Sequence, residues 1–159
     1  MANPPNPTPR PFQIYLADVP YDEKPGSTYR PALVMIPHVG QTRIYKVTTR
    51  YDDKSSEIKD VYYPIKNWKQ AGLDKQSYVD VHKTYEVPTR KLTEKKLKGA
   101  LTAEDSVRLV KYIKDHQDEI QSLARSAEQR NKENAARKAK QEALKRAAIQ
   151  KRLKGKDRS

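Results

Sequence analysis

All twelve aromatic side chains of this 159-residue chain, ten Tyr with Phe12 and Trp68, lie at or before Tyr112. Aromatic rings supply much of the area that a small core buries. A hydrophobic core is therefore available only within residues 12–115, roughly 100 residues and enough for one small domain. Ahead of it lies a Pro-rich arm, residues 1–11, with five Pro and no apolar stretch of the signal-peptide kind. That arm is expected to be disordered. Behind it, residues 116–159 carry 13 Lys and Arg against 6 Asp and Glu. They are expected to form a helical, basic extension.

The formal charge of +13 favours an anionic partner over a purely hydrophobic one. There is no Cys, which excludes disulfides and thiolate metal sites. No apolar run approaches the roughly 20 residues a membrane span needs. The expectation is a cytoplasmic protein with no membrane partner.

Within the core region, Phe12–Val19 alternates and is rich in β-formers, so it reads as a strand. Pro20 to Gly26 supplies a loop, and Pro31–Pro37 is a short apolar run that suits a strand buried on both faces. A turn at Val39-Gly-Gln41 leads into a strand over Thr42–Arg50, and two more fall at Val61–Ile65 and Ser77–Val81. Asn67–Ala71 reads as one helical turn ending at Gly72. Five short strands with brief connections point to a closed or nearly closed antiparallel barrel.

Thr102-Ala-Glu-Asp105 has the spacing of a capping box and starts a helix. Leu109, Ile113, His116, Ile120, Leu123 and Ala127 continue it as one apolar stripe. Beyond Ala127 helix propensity persists while the core signal fades. One continuous helix is expected, its last two dozen residues or so in solvent.

Two segments carry candidate chemistry. Arg30 precedes a buried strand, which sets its guanidinium at a barrel rim where it can face a phosphate in two-pronged fashion. In Lys46-Val-Thr-Thr49 alternation puts Thr48 with Ile44 and Lys46, and Thr49 with Tyr45 and Val47. The more apolar Tyr45 and Val47 are expected to point inward, leaving Thr48 beside Lys46 on a polar face. Taken singly, each segment also reads as an ordinary surface Arg or a strand-loving Thr.

Together with Tyr15–Val19, Gly26-Ser27, Arg30–Val34, Tyr45–Thr49 and Ala71–Val79, in that order, these segments resemble MazF/PemK-type toxins. Leu92, Leu97–Leu101 and the helix from Ala103 resemble the end of that domain, so the likeness covers residues 12–115. The resemblance implies an SH3-like antiparallel barrel with a C-terminal helix, hence a mainly β (α+β) fold continued by a long basic helix. It implies a homodimer, cleavage of single-stranded RNA, and inhibition by a cognate antitoxin. The catalytic Arg and Thr of the family match Arg30 and Thr48. The chain departs from the family at Phe12-Gln13, where Gly-Asp is usual, and at Tyr85, where many members have Arg. Only Thr28-Tyr29 separates Gly26-Ser27 from Arg30, which reads as a shortened loop beside the RNA groove.

RNA brings its own nucleophile, the 2′-hydroxyl, so no metal or other cofactor is expected. Arg30 suits charge stabilisation and Thr48 can donate to a phosphate oxygen. Gln13, Thr49, Arg50, Lys54, Lys66 and Lys69 are the candidate substrate contacts. His38, His82 and His116 lie far apart and in no motif, and read as structural or surface residues, with His38 the first exception to consider. Asp52-Asp53 reads as a solvated turn, and Trp68, Tyr62 and Tyr63 as core before base-stacking platform. Two other functions are open: a nucleic-acid-binding module that does not cut, and an inhibitor like the gyrase poisons. The second needs a Trp near the chain end, whereas Trp68 is the only Trp here.

Overall fold

The computed structural model describes residues 8–21 and 25–156. The arm's residues 1–7 and the last three residues lie outside these. The chain divides into two units, residues 1–121 and residues 122–159. In the first, six strands form one antiparallel sheet: β1 (Gln13–Pro20), β2 (Ser27–Ile36), β3 (Gln41–Thr48), β4 (Tyr62–Pro64), β5 (Tyr78–Pro88) and β6 (Leu97–Ala100). Their order across the sheet is β4-β5-β3-β2-β1-β6. The helices are α1 (Ser56–Lys59), α2 (Thr89–Thr93), α3 (Ala103–Asp115) and α4 (Gln117–Lys156). No described helix is long and apolar enough to cross a membrane.

The mainly β fold with a C-terminal helix is as expected, and the sheet is strongly curled but not closed. β4 and β6 are its two edges. Both are short, and β4 ends at Pro64, which has no N–H to extend a ladder. Curling is nevertheless marked: β1 and β5 approach within 8 Å Cα to Cα although two strands lie between them. A flat sheet would hold them about 14 Å apart. The curl closes one face over a core of Tyr15, Ala17, Val19, Ala32, Val34, Ile44, Tyr85, Val87 and, from α2, Leu92. Tyr85 is thus a core residue.

Two strands extend well beyond the sequence reading. β2 begins at Ser27, so Thr28 and Tyr29 are strand, paired with Val19 and Asp18, and form no loop before Arg30. β5 runs on to Pro88 because Tyr85 and Val87 still alternate into the core after a polar interruption. At the arm's end Pro9 is buried, and Arg10 N–H donates to Gln13 Oε1 at 2.8 Å.

Residues 67–72 do form a single helical turn, with Ala71 N–H donating to Asn67 O at 3.1 Å, and Gly72 ends it at φ +86°. This turn lies hard against β6. A Cβ on Gly99 would meet Ala71 O at 1.9 Å, and one on Gly72 would meet Lys98 O at 2.4 Å. Gly99→Ala is therefore expected to force two backbones apart and destabilise the unit by about 1–3 kcal/mol or more. A lowered urea midpoint at unchanged m-value is the readout, and an unshifted midpoint would contradict the close approach.

Thr102 caps α3 as expected, accepting from Asp105 N–H at 3.2 Å. The Asp105 carboxylate keeps only a long bond to the cap, accepting from Thr102 Oγ–H at 3.4 Å. It is fully buried and accepts from Tyr63 OH at 2.6 Å, Asn67 N–H at 2.8 Å and Lys66 N–H at 3.0 Å. This ties α3 to the segment after β4. Burial pushes its pKa up, but these hydrogen bonds to the charged form outweigh that and hold it below the usual Asp value.

The expected single helix is interrupted at His116, whose backbone leaves the helical region at φ −111°, ψ 23°. Its ring Nδ1–H donates to Tyr112 O at 2.8 Å and the ring stacks on Tyr112 at 3.9 Å. That local bonding competes with helical geometry. The stripe survives the break: Leu109 is buried, and Ile113, His116 and Ile120 are half-buried. In the second unit every residue from 128 to 155 is helical and exposed.

Candidate nucleic-acid interface

Strand register assembles the site. β1 pairs with β2 as Tyr15↔Ala32 and Ala17↔Arg30, so Arg30 shares the face of the core residues Tyr15 and Ala17. β2 pairs with β3 as Ala32↔Lys46. β3 pairs with β5 as Lys46↔Asp80 and Thr48↔Tyr78, and Asp80 pairs with Tyr62 of β4. Side chains two residues apart on a strand point the same way. Arg30, Lys46, Thr48, Tyr78 and Asp80 therefore stand on one face, at the polar end of the surface whose other end is the apolar core. Cross-strand neighbours of this kind have Cβ atoms about 5 Å apart.

Alternation correctly joined Thr48 to Lys46. Val47 is buried as expected at 2% exposure, but the Thr48 side is not simply a polar face, since Ile44 on it is fully buried. A sheet curled over one face and covered on the other buries both. Arg30 is half-buried, and its Nε is buried without a hydrogen-bond partner. Such an orphaned donor costs about 1–3 kcal/mol, which a bound acceptor would recover. Thr48 Oγ accepts from Arg50 N–H at 3.1 Å, leaving its own hydroxyl proton to donate.

Beside them, Asp80 is 1% exposed. Lys46 Nζ lies 3.6 Å from its Oδ2, which accepts no hydrogen bond. Oδ1 accepts from His82 N–H at 3.2 Å and is bonded to His82 Nδ1. Tyr78 stacks on Tyr51, ring centroids 4.4 Å apart and planes 10° off parallel, with Lys59 Nζ 5.1 Å from the Tyr51 ring centre. Asp80, His82, Tyr51 and Tyr78 are additions to the sequence reading, since their grouping depends on register and on a bulge in β5. The Tyr62-Tyr63 pair is buried, as a core role requires.

The other candidates scatter. Thr49 and Arg50 are exposed directly beyond β3, and Lys54 follows on the same connection. Gln13 begins β1, and its Oε1 accepts from Tyr15 OH at 3.3 Å besides Arg10 N–H. Lys66 Nζ is 3.3 Å from Glu104, and Lys69 Nζ sits 5.4 Å from the Trp68 ring centre. Lys66 is thus occupied by α3, and Lys69 by its neighbour Trp68.

No family model matches the chain, and no curated protein matches it significantly. Among solved structures it is similar to the Mycobacterium tuberculosis toxin MazF-mt6, at 20% identity and TM-score 0.49 over 67% of this chain and 96% of that one. An Mtb toxin matches at 19% identity and TM-score 0.46, over 65% and 97%. The MazE-MazF structure (Form-II) from Deinococcus radiodurans matches at 16% and 0.45, over 74% and 95%.

Proposed function

We propose that this chain is a growth-inhibiting toxin of the MazF/PemK type, a cytoplasmic endoribonuclease that cuts single-stranded RNA without a metal. The observation that carries the reading is the buried, unpaired Nε of Arg30 on a face shared with Thr48 and Lys46. A phosphodiester is the ligand that would satisfy it. Its non-bridging oxygens accept from a guanidinium in two places, and Thr48 and Lys46 add a hydroxyl and a second charge. As the 2′-oxygen attacks, negative charge grows on those oxygens, and fixed donors that cannot lose their protons stabilise it most. Thr49, Arg50 and Lys54 would take neighbouring phosphates, and Gln13, Lys66 and Lys69 more distant ones. A homodimer held in check by a cognate antitoxin completes the proposal.

Incubating the protein with long single-stranded RNA in EDTA tests it. Fragments ending in 2′,3′-cyclic phosphate and beginning with 5′-hydroxyl are expected. RNA left intact across varied sequences would reject the enzymatic reading in favour of binding alone.

The basic extension fits the same substrate. A helix without aromatic side chains can hold RNA only through its backbone phosphates, so its contribution would be salt-dependent and blind to sequence. Changing Lys138, Lys140, Lys145 and Lys151 together to Glu is expected to weaken RNA binding at low salt. If all four meet phosphates, the slope of log affinity against log salt should flatten by about 3. An unchanged slope would leave that helix a solubilising extension.

A further inference from the structure

The nuclease reading leaves one task unassigned, removal of the proton from the attacking 2′-hydroxyl. Arg30 cannot do it, because a guanidinium stays protonated in proteins. Lys46 is a cation paired with Asp80, and the Thr48 hydroxyl is no base near neutral pH. On that reading, we propose that His82 is the general base and that Asp80 is its positioning residue.

Three observations carry this. First, β5 departs from regular pairing at His82. Between Tyr45 and Lys46 of β3 the partner on β5 jumps from Thr84 to Asp80, so Val81, His82 and Lys83 form a wide bulge. Val81 N–H turns to Val61 O at 3.0 Å, and the bulge begins directly after Asp80, which faces Lys46 two residues before Thr48 on β3. Second, the bulge is pinned by Asp80, which takes both the backbone N–H and the ring Nδ1 of His82. A buried carboxylate on Nδ1 fixes the proton there and leaves Nε2 as a lone-pair acceptor. Third, the His82 side chain is not sealed, with 18% of it exposed, while its partner Asp80 is 1% exposed. The groups facing the pair are Lys46 from β3 and Tyr62 from β4, with Arg30 one strand further; Lys83, next on β5, leans over Tyr85.

The step balances without a co-reactant. His82 Nε2 takes the 2′-hydroxyl proton as the 2′-oxygen bonds to phosphorus and the P–O5′ bond breaks. The departing 5′-oxygen takes a proton from water, and the imidazolium, stabilised by Asp80, returns its own to solvent.

The test uses the full chain and two substrates, cleavable RNA and an uncleavable 2′-deoxy oligonucleotide. His82→Ala is expected to cut about 10²–10⁴-fold more slowly at saturating RNA while binding the deoxy strand as before. Added imidazole should restore part of the rate, and the fall in rate toward acid pH should disappear. Cleavage that survives His82→Ala overturns the base assignment alone. A native chain that cuts nothing overturns the nuclease reading and the base with it. For positioning, ¹⁵N shifts should show the native His82 proton on Nδ1 and a change of tautomer in Asp80→Asn. A native proton on Nε2 overturns the proposal.

Discussion

Replacing Asp105 by alanine is expected to destabilise the first unit by about 3 kcal/mol or more, a large part of a small domain's total stability. The side chain is fully buried and accepts from the Tyr63 and Thr102 hydroxyls and two backbone N–H groups. Alanine would strand the Tyr63 hydroxyl and both backbone donors, at about 1–3 kcal/mol each before any water enters, and remove the longer Thr102 bond as well. It would also loosen the segment that presses on β6 through Gly72 and Gly99. Chemical denaturation of the two chains at neutral pH measures the loss. The pH dependence follows from the same bonds. Because the folded pKa lies below the unfolded value of about 3.9, the stabilisation is complete above that value and lost as pH falls through the folded pKa. The native chain should lose stability in that acid window, and Asp105→Asn should show a shallower loss there. Equal slopes would mean that other carboxylates carry the acid response.

The sequence marks Asp105 only as the fourth residue of a capping box, and the box is half kept: Thr102 caps, while the acid is diverted to partners some 40 residues earlier. Nothing local announces that diversion. Local signals were read well where one period or one turn residue decides, as in β1, the Gly72 turn and the helix stripe through Ile120. They failed where tertiary pairing decides. β6, with Lys98 and Gly99 in its four residues, has no strand signature and exists because β1 offers an edge. His116 keeps the stripe's spacing and still breaks the helix, since its ring bonds back to Tyr112. The side of Thr48 with Lys46 is legible from alternation alone, whereas Arg30 beside them depends on the β1–β2–β3 register and on a strand that begins three residues before it. Asp80 and His82 were not legible, because a bulge breaks the alternation that the reading relied on.

Arg30→Ala should reduce RNA cleavage by about 10³-fold or more while the fold persists. The two halves of that expectation have separate causes. Arg30 Nε has no hydrogen-bond partner among the described residues, and this unpaired donor is a cost the substitution removes, so the unfolding midpoint should hold or rise. Neighbouring Ala17 and Ala32 show that a methyl group suits this face. Rate, in contrast, depends on a fixed positive fork that meets charge as it develops, and a single lost donor of this type is worth about 10²–10³. Arg30→Lys keeps the charge without the fork and should recover only part of the loss. Thr48→Ala should cost about 10²–10³ alone, and less than that when added to Arg30→Ala, because both act on the same phosphate. Additive losses in the double variant would separate the two residues. Undiminished cutting by Arg30→Ala would remove the guanidinium from the reaction, and the unpaired Nε would then need another acceptor.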